Sequence, residues 1–525
     1  MSDKTDKIFI EENKRFSELA IWKSQKAYYD SKGIEAWADD VPFYITSNPF
    51  IGRSYAKLAL AFIQDWILQN KDADKKPFYI LEMGTGSGQF SFYFLRYLTE
   101  LLNDLNLQSI QIKYIMSDVT SNSFEFWEKH PALKPFLDSG ILDFALYDLY
   151  KDTEIKLVRS QKVITQNSIE NPLIVIGNYI FDSIATDVFT VENGDLFEAR
   201  VSLNTQKDNI KNNKPIDIEK IMIEYNQQAI SSNYYNNNTL DSILFNYQQS
   251  LTDTHFQFPI AGLNALKNLQ SLCNQKLLLL SSDKGYSHLG ELDFLDYPEL
   301  DFHGSFSVMV NYHAIAEFMK QSGGESCVQS FRENIITGVF ASGFNFSALC
   351  NLKLTIKNEL MGFSPTDYFM IYESYIEHFK KTKLDVMASY LNLSAWDPGL
   401  FDQLSDQLSE LAEKGDSEIV AYLSENMHKI ADNFYYLPSC NDILFDIGIF
   451  FQNIGNYQEA MKYYDQSLVF FGESDVVSFN MGVCLYSLDQ FDKALLHMQN
   501  ALRLEPSADD TKGWIKTIEK KLMRA

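Results

Sequence analysis

The chain has 525 residues, 46% of them hydrophobic, with 39 Phe, 29 Tyr and a formal net charge of −25. That apolar content excludes global disorder, and the length predicts two or three domains. The charge argues against a nucleic-acid partner, because phosphate repels a negative surface; it fits high solubility or a basic protein partner. Cys273, Cys327, Cys350, Cys440 and Cys484 are widely spaced and form no C-x-x-C, which argues against a disulfide framework and a zinc site. The start, MSDKTDKIFIEENKRF, lacks an apolar leader, and no apolar run approaches the ~20 residues of a membrane helix. A soluble, cytoplasmic protein without membrane contact is expected, and a homodimer is allowed for.

Residues 1–75 read as a mainly helical lid segment, interrupted by VPFYITSNPF (41–50). A domain over 76–360 follows. FYILEM (78–83), IQIKYIMSD (110–118), LDFALYD (142–148), PLIVIGN (172–178) and KLLLLSSDKG (276–285) read as strands. Helical patterns between them predict a mostly parallel α/β sheet with helices on both faces. The stretch 203–260 reads as an insertion, Asn-, Lys- and Gln-rich over 203–250, with a hairpin and a loop. Residues 306–324 predict a strand-like start and then a helix stopped by glycine.

Beyond 360 helices dominate: a linker or divergent repeats at 361–440, then a repeat unit at 441–525. Gly448 recurs as Gly482, Ala460 as Ala494, Tyr464 as Met498 and Ser467 as Ala501, each 34 residues on, with Pro506 closing the second copy. This period resembles the tetratricopeptide repeat, which implies an all-α domain with a groove for a protein substrate or partner. Helices at 399–432 supply another pair, and 511–523 a cap.

The chemistry concentrates in ILEMGTGSGQF (80–90). An apolar strand, Glu82, then Gly84, Thr85, Gly86 and Gly88 lead into a helix. Glycines allow a sharp bend and close approach of a ligand, and the helix start offers N–H groups to an anion. A dinucleotide fingerprint would need Gly where Gln89 stands, and a Walker loop would need Gly-Lys-Ser/Thr. The spacing G-x-G-x-G, with an acid two residues ahead, resembles motif I of class I methyltransferases. The resemblance implies S-adenosyl-L-methionine as cofactor and a Rossmann-like sheet. It gives the ammonium to Glu82, the ribose hydroxyls to Asp118 with Val119, and the adenine amino group to Asp148 with Leu149.

Further segments resemble the MidA-like methyltransferases, the family of the mitochondrial complex I assembly factor that methylates a protein arginine. They are YITSNPFIGRSYAKLALAFI (44–63), VIGNYIFDSIATDVF (175–189), LLLLSSDKGYS (277–287) and MVNYHAIAEFMKQSGG (309–324), in the family's order. This resemblance implies that Tyr44 and Thr46 border the cofactor and that Asn178 and Asp182 stand at the methyl-transfer end. Tyr179 replaces the family's Glu, Ala185 its Pro, and Asn48-Pro49 its acidic turn. Without that Glu a guanidinium lacks a paired carboxylate, unless Asp182 or Asp187 serves. His303 and His313 read as hydrogen-bonded structural groups or as bases at the pocket mouth. The functional expectation is a protein methyltransferase. The alternatives are a small-molecule or sugar methyltransferase, and an inactive scaffold that keeps the fold.

Overall fold

Runs such as FYILEM and LLLLSSD show no polar alternation, so they need cover on both faces. In the computed structural model every residue of both is buried. The structure describes residues 7–37, 44–209, 218–303, 305–330 and 335–523. It divides into two units, residues 1–47 with 51–367, and residues 48–50 with 368–525.

The first unit is built on seven strands: β1 (Phe78–Met83), β2 (Ile112–Asp118), β3 (Leu142–Leu146), β4 (Leu173–Asn178), β5 (Leu277–Asp283), β6 (Ser326–Val328) and β7 (Ile336–Ser342). Their order is β6-β7-β5-β4-β1-β2-β3. β7 runs antiparallel to both neighbours and every other pairing is parallel. The order changes direction at β1, with β2 on one side and β4 on the other. A ligand crevice therefore opens at the C-terminal ends of these strands.

Two expectations need correction. The N-terminal stretch is mainly helical, but it opens on a strand that was not expected, Lys7–Lys14, followed by helix α1 (Ile21–Lys32). Charged ends hide the Ile-Phe-Ile run of that strand from a helix-or-strand reading, and only pairing decides it. Nor does a helix join β3 to β4. Residues 147–172 hold a short hairpin, Ile155–Lys156 with Val163–Ile164.

The insertion is larger than a hairpin. Asp187–Glu192, Asp195–Gln206, Met222–Ala229 and Thr254–Phe258 form an antiparallel sheet that takes in Lys7–Lys14. Residues 187–202 carry no Asn-rich signal, which concealed where this sheet begins. Phe16, Leu19, Ile21 and Trp22 pack with Val188, Val201, Leu203, Phe306 and Val308 in its core. Arg15 approaches Glu198 at 3.5 Å and lies over the Tyr234 ring at 4.6 Å.

Helix α2 (Pro49–Gln69) and helix α3 (Gln89–Asp104) supply apolar faces. Asp65 accepts from Asn351 Nδ2 and from the Leu352 N–H, both at 2.9 Å, and so satisfies a donor in the first turn of helix Cys350–Ile356.

The second unit is helical from residue 368 to 522. Helices Ile443–Asn453 and Tyr457–Phe471 form one antiparallel pair, and Asp475–Ser487 and Phe491–Leu504 the next. The repeated glycines mark the crossings. Gly448 abuts the Tyr464 ring, and a Cβ on Gly482 would lie 2.9 Å from Met498 Cε. We expect Gly448→Ala to destabilise this unit by about 1–3 kcal/mol, since a rigid ring cannot yield; thermal unfolding followed by circular dichroism measures it.

Candidate active site

The bend after β1 follows from its glycines. Gly84, Gly86 and Gly88 have φ of 62°, 61° and 83°, a region that other residues avoid. Gly88 then caps α3. The bend is laced to the end of β2. Thr85 N–H donates to the Ser117 carbonyl at 2.9 Å, Ser117 N–H to Thr85 Oγ1 at 3.1 Å, and Ser117 Oγ to the Glu82 carbonyl at 2.7 Å. Trp127, fully buried, donates from Nε1 to the Gly86 carbonyl at 3.1 Å.

Asp118 meets this bend. Its carboxyl accepts from Gly86 N–H at 3.4 Å and Thr120 N–H at 3.3 Å, and burial pushes it up to about 6. Val119 N–H adds to those bonds. The Asp118 carbonyl accepts from Tyr147 N–H at 2.9 Å, which brings the end of β3 alongside. Next in the chain, Asp148 accepts from Tyr150 N–H at 3.0 Å and pairs with Lys151 at 3.1 Å. Leu149 packs on the main core. The glycine bend, Asp118 and Asp148 thus lie along the crevice at the strand ends.

Glu82 lies under the bend, where two hydroxyls share one of its oxygens. It is 5% exposed and accepts from Ser91 Oγ and, at 2.8 Å, from Tyr114 OH. Burial raises it to about 7. Its carboxyl braces the bend from beneath. Thr46 is buried in a short turn, Tyr44–Thr46.

The other side of the crevice is built from β4 and β5. Asn178 Oδ1 accepts from Ser282 N–H at 3.1 Å and Tyr55 OH at 2.9 Å. The backbone donor fixes the amide's orientation, and Nδ2 has no partner among the described residues. Tyr55 OH also meets Ser282 Oγ at 2.7 Å. Tyr179 follows at φ 52°, a strained value for a bulky residue. Asp182 is 4% exposed. Helix α1 reaches over this region. Tyr29 is half-buried there, close enough to Asp182 and Asp118 to feel both charges, and its hydroxyl is raised to about 12, mainly by desolvation.

Asp187 is not available to a substrate. It is fully buried and bonds Tyr235 OH at 2.7 Å and Ser17 N–H at 3.4 Å, within the antiparallel sheet. His313 Nδ1 meets Tyr247 OH at 2.9 Å, the structural role. The His303 side chain lies outside the described residues. Tyr29, Tyr55, Trp127 and Asp283 were missed as site residues. Of these, Tyr55 and Asp283 stood in quoted segments without being singled out; the aromatics look like apolar-face residues until the fold places them.

Residues 57–289 match the family described as "Putative S-adenosyl-L-methionine-dependent methyltransferase". This segment is a methyltransferase domain. No curated protein matches the chain. The chain is similar to an uncharacterized protein from Burkholderia thailandensis, with 12% identity over 62% of this chain and 92% of that one and a TM-score of 0.35. It is also similar to a member of the same superfamily from that organism bound to S-adenosyl-homocysteine (14% identity, 57% and 75% covered, TM-score 0.32). A third is N-methyltransferase NodS from Bradyrhizobium japonicum, in complex with S-adenosyl-L-homocysteine (10%, 60% and 99%, 0.27).

The cofactor of the methyltransferase domain is S-adenosylmethionine. The residues present fit it. The glycines present backbone rather than side chain along the bend, and the Asp118 carboxyl stands ready for a pair of hydroxyls. Among the described residues no helix is long and apolar enough to cross a membrane.

Proposed function

We propose that the chain transfers a methyl group to a side chain of a protein, which the helical repeats recruit. The contact of Asp118 with Gly86 N–H carries the reading, because it joins the motif I bend to the ribose-type acid. When bound, the cofactor supplies a methyl group already activated on a sulfonium. The chain's own residues need only bind, align the nucleophile and exclude water. Asp118 holds the ribose and Asp148 the adenine. Asn178 and Asp182 stand at the transfer end, Asn178 with an N–H donor that has no partner among the described residues. Tyr29 and α1 cover them.

The MidA-like segments support this reading, and the 34-residue repeat supports a tetratricopeptide-like groove for a protein partner. A homodimer, a cytoplasmic setting and the absence of nucleic acid and membrane remain part of the reading. A small-molecule acceptor is the second reading. Incubating lysate with labelled cofactor decides between them: label in protein bands supports the first, label in small molecules the second. Calorimetry with S-adenosylhomocysteine tests the site itself. We expect Asp118→Asn to weaken binding about 10- to 100-fold, as charge-assisted bonds are lost; undiminished binding removes Asp118 from the ribose.

A further inference from the structure

Asp283 ends β5 and is fully buried. Its Oδ2 accepts from Ile180 N–H (3.1 Å), Phe181 N–H (2.9 Å) and Asp182 N–H (3.4 Å). These donors fix that oxygen and pin the turn that carries Asp182. Asp283 Oδ1 meets no donor among the described residues, and neither does Asp182 Oδ1. The two acids are neighbours, since the Asp182 N–H donates to the Asp283 carboxyl. Two ionised carboxylates only accept, whereas one proton held between them gives both donorless oxygens a partner. Burial is the main cause that holds both groups above the usual carboxylate range, and for Asp283 the neighbouring charge of Asp182 follows. The groups facing the pair are Lys284, Asp301, Ser183, Tyr29, Tyr55 and Tyr312. Lys284 pairs with Asp301 at 2.5 Å, so it is shared away from the two acids.

We propose that Asp182 and Asp283 hold one proton between them and together receive the proton given up by an alkylammonium nucleophile, Asp182 touching the acceptor and Asp283 positioning it. This rests on the methyltransferase reading above. The singly protonated pair carries one negative charge, which suits a compact ammonium with three donors. A guanidinium fork asks for both oxygens of one carboxylate side by side, and each acid here has one oxygen committed to the shared proton. One N–H proton passes to the pair, which becomes neutral, and the nitrogen's lone pair is freed. That lone pair forms the N–C bond as the C–S bond breaks and its electrons pass to sulfur. The product keeps its positive charge as a methylammonium, and the pair later returns its proton to water.

The test compares the full-length wild type with Asp283→Asn and Asp182→Asn. An amide donates one N–H to the remaining carboxylate and so stands in for the shared proton. A group raised on folding adds stability that is complete below the unfolded carboxylate value and is lost as pH rises through the folded value. Between pH about 4 and 8, wild-type Tm should therefore fall by several degrees relative to both variants. In the infrared at neutral pH, the wild type should show a protonated-carboxyl component in excess of the one that Glu82 leaves in both variants. Equal Tm profiles, or no such excess, overturn the shared proton. To separate positioning from a purely structural role, label transfer into lysate is followed against pH. In Asp283→Asn the acid limb should stay within about half a unit, because the amide replaces the shared proton and one negative charge remains, whereas Asp182→Asn should lose it; an acid limb retained in Asp182→Asn overturns the proton-acceptor role. Calorimetry with S-adenosylhomocysteine on the wild type is read separately. Absent binding there defeats the methyltransferase reading and leaves the shared proton standing or falling on its own data.

Discussion

Gly84→Val is expected to cut affinity for S-adenosylhomocysteine by more than about tenfold, or ~1.4 kcal/mol, and to lower Tm. Two causes add. A left-handed φ costs an ordinary residue about 1–2 kcal/mol, and a β-branched one more. The new side chain also runs into Ile180, from the turn that Asp283 clamps. Relief of the second cause is separable: adding Ile180→Ala to Gly84→Ala should restore part of the stability but not the affinity. Calorimetry and thermal unfolding on both variants check this. Wild-type affinity in Gly84→Val removes the bend from the cofactor site.

Trp127→Ala should destabilise the first unit by about 3–5 kcal/mol, the usual cost of emptying a large buried site. The ring lies 5.2 Å from Phe124 and 5.5 Å from Phe144 between centroids, and its N–H holds the Gly86 carbonyl. Trp127→Phe separates the roles. It keeps most of the packing and loses the hydrogen bond, worth about 1 kcal/mol. Urea unfolding should place it near wild type, while calorimetry shows weakened cofactor binding. If Trp127→Phe binds normally, the bend is held by Thr85 and Ser117 alone.

Legibility followed locality. The strand-bend-helix at 78–104 declared itself because strand, glycines and helix occupy one continuous stretch. Asp118 was readable because it closes an apolar run. Asp283 also closes one, yet its meaning depends on a turn about a hundred residues earlier, and no spacing encodes that contact. Tyr55 reads as part of an apolar helix face until β4 and β5 bring Asn178 and Ser282 to its hydroxyl. Glu82 was placed by its spacing in the motif, while the hydroxyls of Ser91 and Tyr114 that hold its Oε2 come from a helix and a neighbouring strand that spacing does not show. The antiparallel sheet was obscured because its strands Lys7–Lys14 and Thr254–Phe258 lie far apart in the chain, with the N-terminal one mixed in charge.

The covering helix α1 is tethered to a sheet that contributes none of the glycine bend. Its run-up, Lys7–Leu19, is woven into the antiparallel sheet by strand pairing and by Arg15. Trimming the chain before Ile21 would thus uncover Tyr29 and the acids beneath it while leaving β1 to β7 intact. Admission to the transfer end and integrity of the antiparallel sheet are, by this wiring, a single variable.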